Sequence, residues 1–253
     1  MYVYICQNTP EGVFTAIYNI YENKHNLPDT CILMEWEPLL MAEYIEVEKD
    51  AEKSEKVLRT LFRRFGQEDT YLIFMALASS DPEKAQAVYK TISYGLSHKV
   101  QPGHLFDHLA DKYVHYTHKL SLSARRECQH FKGFLRFREL KSGGMYALIQ
   151  PKNDLLPELM EHFSDRFPSE NFMILDEVRM RIGVHRAWES WFLTEDNVAF
   201  EKIKTTEVSE KQTYYEELFQ RFCKTIAIKE RKNEQLQKSL LPLRYRTYMT
   251  EFL

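Results

Sequence analysis

The stretch His130-Phe131-Lys132-Gly133-Phe134-Leu135-Arg136-Phe137-Arg138-Glu139-Leu140, continued through Lys141 to Gln150, decides how the chain is read. Between Gly133 and Leu140 bulky apolar residues alternate with basic ones, the two-residue period of a half-buried strand. Ser142-Gly143-Gly144 supplies a turn, because glycine takes positive φ at little cost. Met145 to Ile149 then returns as a second strand, so a β-hairpin is expected. Phe134 and Phe137 are three apart, and either a bulge intervenes or both faces are partly covered. A regular alternation puts Lys132, Phe134, Arg136 and Arg138 on one face and Leu135, Phe137 and Glu139 on the other. Cations around an aromatic suit a polyanion such as nucleic acid. The same pattern also suits the solvated face of an antiparallel sheet.

Downstream of the hairpin, Asn153 or Asp154 caps an expected helix through Leu155, Leu159, His162, Phe163 and Phe167, with Pro157 harmless in its first turn. Asn171 to Leu175 and Val178 to Val184 read as strands, and Trp188, Trp191 and Phe192 with the Glu189 to Leu193 run as a third. Arg179, Arg181, His185 and Arg186 add a second basic cluster to this sheet. Thr194 to Lys211 is polar and reads as a connector. Ser209 to Lys232 reads as a long helix carrying Tyr214, Leu218, Phe222 and Ile226, followed by Leu240 to Arg246 and a short C-terminal helix. Cations dominate from Arg221 to Arg246, opposed only by Glu230 and Glu234. The Arg244-Tyr245-Arg246 alternation either combines phosphate contacts with base stacking or docks Tyr245 and Tyr248 on the core with the arginines outside.

Upstream, Tyr2 to Cys6 is an expected strand. Asn8 or Thr9 caps a helix from Pro10 to about Asn23, with Val13, Ile17, Ile20 and Tyr21 along one face. Thr30 to Met34 reads as a short strand. Glu35 to Glu55 is an acidic belt that repels phosphate, so a nucleic-acid site belongs elsewhere. Helical periodicity covers Asp50 to Phe65 with Gly66 as a stop, Asp69 to Ala78, Asp81 to about His98, and Pro102 to about Gln129. The last of these puts Leu105, Leu109, Tyr113, Tyr116 and Leu120 inward. Five histidines crowd this region (His98, His104, His108, His115 and His118), but no HExxH spacing joins them, and scattered surface histidines are the simpler reading.

The 253 residues suffice for one large domain or two small ones, and 44% apolar residues with 15 Tyr and 16 Phe give an aromatic-rich core. Eight Gly and nine Pro argue against disorder and against a turn-dense all-β protein. A net charge of −3 excludes a uniformly basic coat for nucleic acid, though not a local basic face. Cys6, Cys31, Cys128 and Cys223 form no CxxC or CxxxC pair, so free thiols are expected rather than a metal or iron–sulfur site. No motif calls for a cofactor. There is no basic, apolar leader and no apolar run near ~20 residues, so a cytoplasmic protein without a membrane span is expected. The expected fold class is α+β: an antiparallel sheet flanked by a largely helical N-terminal half and a C-terminal helix. It forms a single domain with lobes at 1–129, 130–195 and 196–253.

Several segments together resemble one family. They are Tyr4 to Tyr21 with Glu11-Gly12-Val13-Phe14-Thr15-Ala16, His130 to Phe137, Pro151 to Phe167, Ile174-Leu175-Asp176 with Arg179, and Asn233 to Phe252. The resemblance is to a bacterial family of DNA-repair or DNA-metabolism proteins associated with a radical-SAM protein that looks like a DNA-lesion repair enzyme. Some members are fused to a uracil-DNA-glycosylase-like domain, and this chain resembles the unfused form. The family's usual Asp-Gly pair after the first strand is replaced here by Gln7-Asn8. The positions that match its motifs are His130, Lys132, Arg136, Asp154, His162, Arg166, Asp176, Arg179, Pro242, Arg244 and Tyr245.

Three functions are therefore expected in turn. The first is a DNA-binding accessory protein that presents DNA to a radical-SAM partner through Lys132, Arg136, Arg138, Arg166, Arg179, Arg181, Arg244, Tyr245 and Arg246. The second is a glycosylase- or nuclease-like enzyme with His162, Asp176 and Asp154 as its acid and base groups. Asp154 is equally a helix cap and Asp176 a turn residue. The third is a protein–protein scaffold whose acidic belt faces a basic partner.

Overall fold

The opening apolar run forms β1 (Tyr2–Cys6), and in the computed structural model, which describes residues 1–25, 29–228 and 231–252, Val3 and Tyr4 of this strand are fully buried. Thr9 caps α1 (Pro10–Glu22), its hydroxyl accepting the Gly12 N–H at 3.1 Å. Val13, Ile17 and Ile20 point inward as the periodicity requires, while Tyr21 stays partly exposed. A Cβ on Gly12 would lie 2.6 Å from the Gln7 carbonyl oxygen, so the turn packs on the helix at a distance that glycine alone allows. β2 (Thr30–Leu33) and β3 (Glu43–Val47) then pair with β1 on either side, both parallel to it. The expected antiparallel sheet is thus not the only one: the N-terminal half has its own parallel sheet, in the order β2-β1-β3. β3 lies inside the acidic belt, where glutamates mask the alternation that ends in buried Val47.

Asp50 caps α2 (Ala51–Leu77), accepting the N–H groups of Glu52 and Lys53. Gly66 breaks the helical backbone at φ 80° and ψ −179°, as its reading as a stop requires, and a second helical segment follows it directly after a kink. α3 (Lys84–Ser97) follows. α4 (Lys112–Phe134) starts at Lys112 rather than Pro102 and runs on through His130 to Phe134, the residues expected to open the hairpin. The reason is visible in the side chains. Ala124, Cys128 and Phe131 are buried at helical spacing, so the stripe begun upstream continues and overrides the local alternation.

The hairpin survives at its tip. β4 (Arg138–Glu139) pairs antiparallel with β5 (Met145–Ile149), and Gly143 and Gly144 turn the chain at φ 84° and 81°. α5 (Leu156–Arg166) then crosses over to β6 (Phe172–Asp176), which is parallel to β5. β7 (Arg181–His185) and β8 (Phe192–Thr194) complete the sheet in antiparallel register, order β4-β5-β6-β7-β8. The five-stranded sheet is therefore mixed, because α5 is long enough to return the chain in the same direction. Trp188 and Trp191 fall outside β8, and Trp188 is largely exposed at φ 65°.

The polar connector contains a helix, α6 (Asn197–Thr205), whose Phe200 is buried with Leu140, Tyr146, Leu175 and Ile182. α5 covers the opposite face: a Cβ on Gly183 would collide with Met160 and crowd Leu156. α7 (Glu210–Ile226) and α8 (Glu234–Leu240) follow, with 3-10 turns at Leu243–Tyr248 and Thr250–Phe252. Tyr214, Leu218, Phe222 and Ile226, the apolar residues expected along the final helix, are all exposed. The part of the expected final helix at 229–230 lies outside the described residues. The architecture is a mixed α/β one in two compact units, Met1–Arg126 and Glu127–Leu253. Among the described residues no helix is long and apolar enough to cross a membrane, no acidic, histidine or cysteine cluster has the form of a metal site, and the four cysteines are free thiols.

Candidate nucleic-acid interface

Glu127 organises the second unit. Helical continuation of α4 carries its side chain inside, where the residue is 3% exposed. One carboxylate oxygen accepts the Lys152 N–H at 2.9 Å. The other accepts the Asn153 backbone N–H at 3.0 Å and the Asn153 side-chain amide at 2.7 Å. The Arg244 guanidinium lies 3.3 Å away. One carboxylate therefore joins α4, the loop after β5 and the C-terminal 3-10 turn. In the sequence it stood only as the lone acid among cations, and nothing there marked it as buried.

Asp176 closes β6 and is fully buried. It accepts the N–H groups of Val178 at 2.9 Å and Arg179 at 3.3 Å, and pairs with the Arg179 guanidinium at 3.1 Å. Burial pushes its carboxyl above the usual carboxylate range, and Arg179 only partly offsets this. Arg179 also donates to the carbonyls of Pro151 at 3.3 Å and Lys152 at 2.8 Å. Asp154 is ion-paired with Arg181, which stands opposite Asp176 in the β6–β7 register. Asp154, Asp176, Arg179 and Arg181 thus meet at the carboxyl ends of the parallel strands β5 and β6, where open α/β sheets place their ligands.

His162 does not join them. It is half-buried, edge-on to Phe163 with centroids 4.9 Å apart. Burial, then Lys132 and Arg166 nearby, hold its imidazole below the ordinary histidine range, and Glu158 and Asp165 are its acidic neighbours.

Most of the expected phosphate contacts have carboxylate partners. Lys132 pairs with Glu158 at 3.0 Å, Arg136 with Glu251 at 2.7 Å and Arg138 with Glu216 at 2.9 Å. Arg246 donates to the Leu241 carbonyl and lies over the Phe252 ring at 4.6 Å. Arg166 is exposed and sits 5.5 Å over the Phe167 ring. Tyr245 is docked inside, its hydroxyl 3.1 Å from His130 Nδ1 and its ring edge-on to Phe131, so its face does not receive a base. Arg244 lies over that ring at 4.6 Å with half of its side chain in solvent.

Two of the expected cations, Arg136 and Arg244, nevertheless line one shallow cleft with Gln150, Tyr248, Phe134 and Leu148. Tyr248 is fixed there by hydrogen bonds to Glu177 and to Gln150, the latter at 2.9 Å. Burial would raise the Glu177 carboxyl, but hydrogen bonds from Lys204, Tyr248 and Gln150 together hold it below its ordinary value. The cleft is small and lined by apolar side chains, with two guanidinium groups at its rim, Arg136 held by Glu251 and Arg244 by Glu127.

Fold and cleft define an α/β protein whose second unit is a three-layer, mixed-sheet module with a cationic rim. Residues 82–251 match DUF4130, a domain of unknown function, and the chain belongs to that family. No curated protein and no solved structure matches it.

Proposed function

We propose that this chain is a DNA-binding accessory protein of DNA repair or modification, acting in the cytoplasm and presenting DNA to a radical-SAM partner. The observation that carries the reading is the shared position of Arg136 and Arg244 on one cleft, with the Arg244 guanidinium half in solvent. The resemblance of the His130 to Phe137 and Asn233 to Phe252 segments supplies the setting. Because Lys132, Arg136, Arg138, Arg179 and Arg181 are held by carboxylates, and Arg244 keeps only half of its side chain in solvent beside Glu127, the number of phosphates engaged is small. Affinity should fall with salt along a shallow slope, about one to three log units per decade. Arg244→Ala should weaken binding to all sequences alike and reduce that slope by about one. The test is a fluorescence-anisotropy titration of single- and double-stranded oligonucleotides across salt, with the wild type and the variant. No binding of either form at low salt sinks the reading.

A scaffold role is the second reading, and α7 favours it. Tyr214, Leu218, Phe222 and Ile226 recur every fourth residue, all are exposed, and no α7 residue is buried. An uncovered apolar stripe of this kind marks a helix that meets another protein. Leu218→Asp with Phe222→Asp should abolish co-purification with the radical-SAM partner in the absence of DNA. Capture of the partner unchanged by these substitutions counts against docking through α7.

A further inference from the structure

The first unit contains a cavity of about 1060 Å³ that the DNA reading leaves unused. It opens at the carboxyl end of the parallel sheet, where Asn8 follows β1 and residues 31–37 run out of β2, the end at which such sheets take ligands. Its lining includes Cys31, Glu35, Trp36, Glu37, Glu83 and Tyr113. The walls are held in place. The Tyr44 hydroxyl accepts the Leu39 N–H at 2.7 Å and donates to the Glu37 carbonyl at 2.8 Å, fixing the loop that carries Trp36. Gln86 accepts the Ile32 N–H at 2.9 Å, so α3 seals this edge of β2. Tyr116 donates to Asp81 at 2.9 Å.

We infer that this cavity binds a small organic cation, an amine or a guanidinium carried on an apolar or aromatic body. Three acidic residues, Glu35, Glu37 and Glu83, line it with Lys112 and His115, and Lys90 stands near Cys31, so the balance stays acidic and disfavours phosphates and nucleotides. The aromatic residues Trp36, Tyr113 and Tyr116 in the lining are of the kind on which a cation is held. The protein already displays that contact: the Lys112 ammonium lies 4.5 Å over the Tyr113 ring. A ligand cation replaces it on that face, with the lysine swinging into solvent. The volume is that of an ordinary small-molecule site.

The test uses the full chain and isothermal titration with agmatine and benzyltrimethylammonium, and AMP as the anionic control. Both cations should bind and AMP should not. Glu37→Gln should weaken cation binding about fivefold. Lys112→Ala should strengthen it, since it removes both a like charge and an internal competitor. Glu37 and Lys112 are both exposed, so these variants keep the fold. Bound cation should also slow maleimide labelling of Cys31, which lies inside the lining. Failure of both cations to bind, preference for AMP, or cation binding that ignores Glu37→Gln and Lys112→Ala would overturn the inference.

Discussion

Replacing Glu127 by Ala is expected to destabilise the second unit by about 2–4 kcal/mol, because it leaves three donors around a buried carboxylate site without their acceptor, while the half-exposed Arg244 adds little. The substitution removes the acceptor for the Lys152 and Asn153 N–H groups and for the Asn153 amide in one step. It also takes the counter-charge from Arg244. Glu127→Gln keeps the shape and one carbonyl oxygen, but turns an N–H₂ toward a donor, so roughly half of the loss is expected. Urea unfolding followed by far-UV circular dichroism reads both variants, and the expected sign is a lower midpoint in the order wild type, Gln, Ala. If Glu127→Ala unfolds within about 1 kcal/mol of the wild type, the carboxylate is not what joins α4 to the C-terminal turn. Should the DNA reading hold, Glu127→Ala also loosens Arg244, and DNA affinity falls together with stability.

Much of this could be read in the residues, and what could not has identifiable causes. Local chemistry was legible: the Thr9 and Pro10 start of α1, the helical span from Asp50 with its break at Gly66, the glycine turn at 143–144 and the β6–β7 hairpin. Competing periodicities were not. His130 to Phe134 fits a strand by alternation and a helix by spacing, and the helix prevails because Ala124 and Cys128 had already begun a buried stripe. Strand direction also escaped, since nothing in Met145 to Ile149 says whether its neighbour runs parallel; the α5 crossover decides it. The basic cluster was visible as composition, but its partners Glu158, Glu216 and Glu251 come from elements distant in sequence. Pairing over such separations is a tertiary fact that charge counting does not register. Glu127 escaped for the same reason. The apolar row on α7 was legible as spacing, but not its exposure, because periodicity reports that a face is apolar, not what covers it.

Asp176 separates a structural acid from a catalytic one, and the expected results differ between two substitutions. Asp176→Ala deletes the acceptor for the Val178 and Arg179 N–H groups, opens a void at a fully buried site and unpairs Arg179, for a loss of about 2–4 kcal/mol. Asp176→Asn keeps the oxygen that accepts those N–H groups. Burial already pushes the Asp176 carboxyl upward, so the neutral form suits the site, and Arg179 retains the Pro151 and Lys152 carbonyls. The Asn variant should therefore lie within about 1 kcal/mol of the wild type. The sign with pH follows from the same shift. A carboxyl whose folded value is raised favours the folded state when protonated, so its contribution is greatest below the unfolded pKa and declines as pH rises through the folded one. In Asp176→Asn that decline disappears, and the stability difference between variant and wild type should move in favour of Asn as the pH is raised from acid to neutral. Chemical denaturation at several pH values measures this. A glycosylase or nuclease that used Asp176 as its acid or base would behave otherwise: Asp176→Asn would fold normally, bind DNA and lose all processing. Unchanged processing in a folded Asn variant assigns the carboxylate to the turn, and its loss would move the chain from accessory protein to enzyme.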